Sequence, residues 1–272
     1  MRISVLGPEG TFSGNAAKKY IQINKIDADI SYCPTIDEAF EQAVTDCDLA
    51  IVPIENTLDG YVQRTLDLLL EMPVHIKSDI TIPVSFALAA NADCKENIKR
   101  LFVQFKSAGQ CRDFISSLNL KSVVNTESNM ISYYEAEKGV EGDGAIIPEH
   151  MLENSSSRLK ISGVTDTLSN FTRFAVIERG AFSTANNQGL DIRVPLYVMP
   201  EEDRPGILFE ILQEFSDKRI NLTSIMSRPT KKEMGTYNFY IEASGKSSEL
   251  DKILSVVDKM KKTHEIKIIG VY

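Results

Sequence analysis

Three short polar stretches hold the side chains that could do chemistry. Asn170, Thr172 and Arg173 fall within four positions of Thr165-Asp166-Thr167-Leu168-Ser169-Asn170-Phe171-Thr172-Arg173-Phe174, just ahead of a strand. In an extended chain Thr172 and Phe174 point one way and Arg173 the other. Asn170 and Thr172 can then share a face, while Arg173 needs its own partner, either a structural carboxylate or a substrate. The second stretch, Gly7-Pro8-Glu9-Gly10-Thr11-Phe12-Ser13, joins a strand to a helix. Its glycines admit a ligand close to the backbone. Thr11 and Ser13 stand at a helix N-terminus, where free N–H groups and the dipole favour an anion. The same hydroxyls would also serve as ordinary caps. The third stretch, Pro53-Ile54-Glu55-Asn56-Thr57-Leu58-Asp59-Gly60, follows the most apolar strand candidate. In open α/β sheets ligands bind at the carboxyl ends of strands. Together these junctions suggest a cleft for a carboxylate-bearing ligand.

Other chemistries find no residues to support them. There is no Ser-His-Asp relay pattern and no Gly-rich Walker loop with its Lys. His75, His150 and His264 lie far apart, and Cys33, Cys47, Cys94 and Cys111 form no C-x-x-C pair. No metal and no cofactor are expected. The net charge of −8 and pI near 5.1 speak against nucleic acid or an anionic membrane as partner. The N-terminus lacks a signal-peptide apolar region and no run approaches membrane-spanning length, so the chain reads as cytoplasmic. A hydroxyl-lined anion pocket is what survives.

These residues must be positioned by a regular frame. Ile3–Leu6, Asp29–Cys33 and Leu49–Ile54 read as strands alternating with helices over Ser13–Tyr20, Ile36–Val44 and Val62–Leu70. That order argues for a mostly parallel sheet. Val74–Ala90 is long and extended, suggesting a crossing between lobes. A second α/β lobe follows, with strands at Arg100–Val103, Lys121–Val124 and Gly144–Ile147. Its helices fall at Ala108–Leu118, Ser128–Glu137 and Pro148–Leu152, and Phe174–Ile177 is a returning strand. Gly180–Gly189 is small and polar, as a linker would be. Beyond it, strands at Ile192–Met199, Leu222–Met226, Tyr237–Ala243 and Ile266–Val271 alternate with helices at Gly206–Lys218 and Ser248–Lys262. This is the ferredoxin-like βαββαβ order.

Taken together, these segments resemble the prephenate dehydratase family. Its G-P-x-G-T-F-S stands at Gly7–Ser13 and its P-I-E-N-[ST]-x-x-G at Pro53–Gly60, with Thr57 where Ser is usual. Its D-x-x-x-N-x-T-R-F stands at Asp166–Phe174. The tail resembles an ACT domain, with Gly206-Ile207-Leu208 for G-A-L and Met226-Ser227-Arg228-Pro229 for E-S-R-P. The family's Ser-His-Pro-Gln segment is replaced here by Val103-Gln104-Phe105-Lys106-Ser107-Ala108-Gly109-Gln110-Cys111, of which Gln110-Cys111 remains plain.

The resemblance implies an α/β fold: a catalytic domain with lobes like those of type II periplasmic-binding proteins, plus the ferredoxin-like ACT domain. It places the catalytic domain at 1–180 and the ACT domain at 190–272. Lobe 1 would span about 1–90 and 172–180, and lobe 2 about 91–171. The implied reaction turns prephenate into phenylpyruvate, water and CO2. Thr172 would be the critical side chain, with Asn170 orienting it and Arg173 in a structural or substrate-facing role. Thr11, Ser13, Asn56 and Thr57 would bind carboxylates, and Glu55, Gly60 and Phe174 join the substrate-binding set. L-phenylalanine would bind Pro205, Gly206, Ile207, Leu208, Asn221, Leu222, Ser227, Arg228 and Pro229 as feedback inhibitor, in a homodimer or homotetramer joined through ACT domains. An arogenate-preferring dehydratase and a non-catalytic aromatic amino-acid sensor are the alternatives.

Overall fold

A computed structural model of the chain describes residues 1–182, 191–202 and 204–272. Residues 183–189 of the expected linker lie outside the described residues. In chain order the elements are β1 (Arg2–Leu6), α1 (Phe12–Asn24), β2 (Asp29–Cys33), α2 (Ile36–Thr45), β3 (Leu49–Asn56), β4 (Gly60–Tyr61), α3 (Gln63–Glu71), β5 (Val74–Pro83) and β6 (Phe86–Ala90). Next come β7 (Arg100–Gln104), α4 (Phe105–Gln110), α5 (Arg112–Ser116), β8 (Ser122–Thr126), α6 (Asn129–Glu137), β9 (Asp143–Pro148), β10 (Leu159–Ile161) and β11 (Phe171–Arg179). The C-terminal part carries β12 (Asp191–Pro200), α7 (Ile207–Asp217), β13 (Asn221–Pro229), β14 (Tyr237–Lys246), α8 (Leu250–Met260) and β15 (His264–Ile268).

The described strands form three sheets, ordered β2-β1-β3-β11-β5 with β4 on β3, then β10-β6-β9-β7-β8, then β13-β14-β12-β15. Two compact units result: residues 1–39, 51–61 and 80–174, and residues 40–50, 62–79 and 175–272.

Within the first unit, the inner strands β6 and β9 of the second sheet are buried on both faces. Phe86, Leu88 and Ala90 of β6 join one apolar cluster, and Ala87 and Ala89 join another. On β9, Ile146 joins the first while Ala145 and Ile147 join the second. That is the two-residue period of a strand covered on both sides. Met130, Tyr133 and Ala136 of α6 cover the second face.

One expected helix divides. Ala108–Leu118 reads as continuous, but the chain breaks at Cys111, whose φ of −126° and ψ of 30° are not helical. The Asp166 carboxylate accepts from Arg112 N at 2.8 Å and Asp113 N at 3.2 Å. It therefore satisfies the free N–H groups of a new helix start. β10 has three residues, too few to show a period in the sequence.

In the second unit the C-terminal sheet is antiparallel throughout its described pairings. Its order is that of a ferredoxin-like fold. Ile207, Ile211 and Phe215 of α7 recur at helical spacing and meet Ile192, Val194, Leu196 and Val198 of β12. Tyr197 and Tyr240 are fully buried, with ring centroids 5.4 Å apart.

Candidate active site

The candidate site is built around one amide in the first unit. β3 ends at Asn56, and the chain turns because Asn56 Oδ1 accepts from Leu58 N at 2.9 Å and Asp59 N at 3.0 Å. An Asn side chain that bonds the backbone two residues on is a common turn device. With the oxygen so engaged, Nδ2 must face the other way. It reaches Asn170 Oδ1 at 2.8 Å, Thr172 Oγ1 at 2.9 Å and Phe171 O at 3.1 Å. Asn170 is 1% exposed and donates from Nδ2 to Gln110 Oε1 at 2.9 Å. The expected sharing of a face by Asn170 and Thr172 is thus realised through Asn56.

Thr172 accepts that bond and, among the described residues, its own hydroxyl proton has no acceptor. A hydroxyl that receives a hydrogen bond becomes a better donor. Thr172 can therefore aim an O–H at an oxygen that gains negative charge.

The partner that Arg173 needs is Glu55. Arg173 is 7% exposed, with Nη2 2.9 Å from Glu55 Oε2 and Nε 3.1 Å from the same oxygen. Nη2 also donates to the Tyr61 hydroxyl at 3.0 Å. The structural alternative fits this geometry, and Glu55 serves there as counter-ion. Thr57 clamps two strand ends: its hydroxyl donates to Ser169 O and accepts from Phe171 N, each at 2.9 Å. Phe174 is 1% exposed and packs in the core, so it offers a ligand no surface. Gly60 holds φ at 75°, a left-handed turn position that a side chain would strain.

The Gly7–Ser13 loop divides its hydroxyls. Thr11 caps α1, accepting from Gly14 N at 3.3 Å and donating to Leu6 O at 3.1 Å. Ser13 is 5% exposed, and its Oγ has no hydrogen-bond partner among the described residues. Gly10 sits at φ 89°, and a Cβ there would lie 2.6 Å from the Met130 methyl carbon. His150 Nε2 lies 2.9 Å from Gly10 O, and its ring meets Phe12 edge-on at 5.4 Å. Burial lowers the His150 pKa and the Lys18 charge adds to this, while the bond to Gly10 opposes it.

Three residues of this constellation escape motif reasoning. Gln110 is visible only as part of Gln110-Cys111, and no local signal places it on Asn170. Tyr61 follows the Pro53–Gly60 motif by one position. His150 stands in no motif at all. Cys111 beside Gln110 is not a nucleophile, since burial, with the charge of Asp166 adding, pushes its thiol up to about 12. Among the described residues no group of three or more His, Cys, Asp or Glu side chains could hold a metal ion.

In the second unit the proposed ligand residues separate into two places. Gly206, at φ 90°, precedes α7, which Ile207 and Leu208 open, with Pro205 just before. Asn221 begins β13, bonds Ser244 Oγ at 3.0 Å and lines a cavity of about 610 Å³ with Arg193, Arg219 and Lys246. Leu222 packs partly buried against the C-terminal core. Ser227, Arg228 and Pro229 end the same strand. The Arg228 guanidinium is engaged by Asp67, with Nε and Nη2 at 3.0 and 2.8 Å from one oxygen, so it faces α3.

Comparison with known proteins decides the lineage. The family model of prephenate dehydratase matches residues 3–181, and that of the ACT domain matches 202–255. The chain belongs to the prephenate dehydratase family. The prephenate dehydratase of Methanocaldococcus jannaschii is 32% identical over 268 residues, covering 97% of this chain and 95% of that one. The bifunctional chorismate mutase/prephenate dehydratase of Aquifex aeolicus is 30% identical, covering 100% of this chain and 73% of the relative. Among solved structures, the prephenate dehydratase of Staphylococcus aureus Mu50 superposes with a TM-score of 0.83 at 26% identity, over the whole of both chains. That of Arthrobacter aurescens, solved in complex with L-Phe, gives 0.86 at 26% identity, covering 100% of this chain and 90% of that one. The chain is accordingly an enzyme of the hydro-lyase class, a prephenate dehydratase with an ACT domain. Its α/β sheets are of the periplasmic-binding-protein-like kind. No helix among the described residues is long and apolar enough to cross a membrane.

Proposed function

We propose that the Asn56–Asn170–Thr172 cluster converts prephenate to phenylpyruvate, water and CO2. The observation that carries this reading is the Thr172 hydroxyl, which accepts from Asn56 Nδ2 and keeps its own proton for a ligand. In the reaction the ring C–O bond breaks with its electron pair on oxygen. The C–C bond to the ring carboxylate supplies the pair that completes the aromatic ring, and CO2 leaves. The departing hydroxide combines with a proton taken up from solution and leaves as water, so one proton is consumed per turnover. Thr172 donates a hydrogen bond to that oxygen as its charge develops, and Asn56 strengthens the donor. Aromatisation drives the step, so positioning and electrostatics suffice. Ser13, with its unpartnered Oγ, is the first carboxylate binder, supported by the helix start that Thr11 caps. Glu55 and Arg173 hold the strand ends in place.

The test is phenylpyruvate formation, read by its absorbance in alkali. Thr172→Val keeps the shape and removes the donor. Turnover should fall by about 10²–10³, with an unchanged melting temperature. Near-normal turnover in this variant sinks the assignment.

Regulation by L-phenylalanine at the C-terminal domain is part of the same reading. The ACT match and the L-Phe complex of the Arthrobacter aurescens enzyme support it. L-phenylalanine should bind, inhibit and raise the melting temperature. Calorimetry without binding heat at millimolar concentration would count against it. A homodimer or homotetramer joined through ACT domains is the assembly that light scattering should report.

A further inference from the structure

Lys106 occupies the first turn of α4, and the backbone beneath it is held firmly. The Gln104 side chain accepts from Lys106 N at 2.8 Å and Ser107 N at 3.2 Å. Ser107, 1% exposed, donates from Oγ to Asn129 Oδ1 at 2.6 Å. Four residues further along α4 stands Gln110, and positions i and i+4 share a helix face. Gln110 Oε1 receives the Asn170 amide. Lys106 Nζ donates to Asp59 Oδ2 at 2.8 Å, and the Asp59 N–H goes to Asn56 Oδ1 at 3.0 Å. The bonds therefore close a ring: Lys106, Asp59, Asn56, Asn170, Gln110, and back through one turn of α4. The ammonium sits on the rim of the same amide ring that holds Thr172.

Two observations say what this ammonium is for. Arg173 is turned inward to Glu55 and Tyr61, at 7% exposure. The Lys106 and Asp59 side chains, by contrast, are 64% and 46% exposed. An exposed pair of this kind is worth at most about 1 kcal/mol, so a carboxylate from solution can displace Asp59. Lys106 also lies in the segment where this chain departs from the family's Ser-His-Pro-Gln.

We propose that Lys106 is a specificity-determining residue: Asp59 holds its ammonium at the rim of the free site, and the retained side-chain carboxylate of prephenate takes it over on binding. This rests on the prephenate reading above. The ring carboxylate is excluded by the chemistry. A cation paired with it would stabilise charge that must depart as CO2, favouring the ground state over the transition state. Lys106 consequently acts on KM and leaves kcat nearly unchanged. Arogenate carries its own ammonium beside the same carboxylate, so it gains less from Lys106.

The experiment is steady-state kinetics of the full chain on prephenate and arogenate at fixed ionic strength. Lys106→Gln should raise KM for prephenate about tenfold, the factor for about 1.4 kcal/mol of lost charge-assisted bonding. KM for arogenate should rise less. Lys106→Arg should recover most of the loss. Asp59→Asn keeps the backbone bond to Asn56 and frees the ammonium, so KM for prephenate should fall. An unchanged KM in Lys106→Gln overturns the inference. So does a rise of KM in both Lys106→Gln and Asp59→Asn, the signature of a mere latch between two segments. Absence of prephenate turnover by the parent chain sinks the functional reading itself, and the inference with it.

Discussion

At the scale of single residues, the site depends on which way one amide faces. Asn56 Oδ1 is fixed by two backbone N–H groups, and this alone directs Nδ2 at Asn170 and Thr172. Asn56→Asp keeps the turn, because a carboxylate accepts the same two bonds. It also places an acceptor where a donor is needed, against Asn170 Oδ1 and Thr172 Oγ1. Turnover should fall by about 10² or more, as for a lost transition-state donor, and the fold should lose about 1–3 kcal/mol, because the buried Asn170 Oδ1 loses its donor. A variant with parental kcat would show that Thr172 does not rely on this amide. His150 gives a pH signature. Burial, reinforced by Lys18, holds its pKa below the ordinary 6.5, so the unfolded chain binds the proton more readily than the folded one. Its stabilising contribution is complete above pH 6.5 and is lost as pH falls through the lowered folded value. The melting temperature should therefore drop more between pH 7.5 and 5 in the parent chain than in His150→Gln. Equal slopes would remove His150 as the cause. Thr172, Asn170 and Asn56 are legible in the sequence because short polar side chains collect where strands end or begin. His150 is not, since a single imidazole carries no local pattern until the fold sets Gly10 beside it.

At the scale of elements, the break between α4 and α5 positions the site as much as any side chain. Hydrophobic spacing gives one helix there, because Ala108, Phe114 and Ile115 all keep to one apolar cluster. What divides it is Asp166, which accepts from Arg112 N and Asp113 N and donates its own N–H to Gln110 O at 2.8 Å. Periodicity records which residues face a core, not which remote carboxylate caps a new start. The acid of the Asp166–Phe174 motif is therefore a capping residue, and Gln110 owes its place at the end of α4 to it. Asp166→Ala should cost about 1 kcal/mol, the usual value of a lost cap, and lower the melting temperature by about 2–4 °C. Its turnover should fall less than that of Asn56→Asp, because the backbone bond to Gln110 remains. A variant as stable as the parent would mean that the break at Cys111 needs no cap.

At the scale of the whole molecule, the second unit joins segments far apart in the chain. Within it α3 is fixed by residues of the C-terminal domain. The buried Tyr197 hydroxyl donates to Leu66 O at 2.8 Å, and Lys267 Nζ caps the helix end through the carbonyls of Leu69, Leu70 and Met72. Asp67 receives Arg228 and, at 3.0 Å, Lys231. No local pattern could announce a partnership between residues 161 positions apart. Burial pushes the Asp67 carboxyl up, but the two cations more than offset this and hold it below the ordinary carboxylate value of 3.8. That stabilisation is present above pH 3.8 and lost as pH falls through the lowered value. Arg228→Met keeps the bulk and leaves a largely buried carboxylate with Lys231 alone. The expected loss is about 2 kcal/mol at neutral pH, between a weakened hydrogen bond and a fully broken buried pair. In melting temperature this is about 4–8 °C. Asp67→Asn combined with Arg228→Met should recover part of that loss, since no buried charge is then left unpaired. If the double variant is instead as unstable as the two single effects added together, Asp67 and Arg228 are not coupled, and α3 is held by Tyr197 and Lys267 without them.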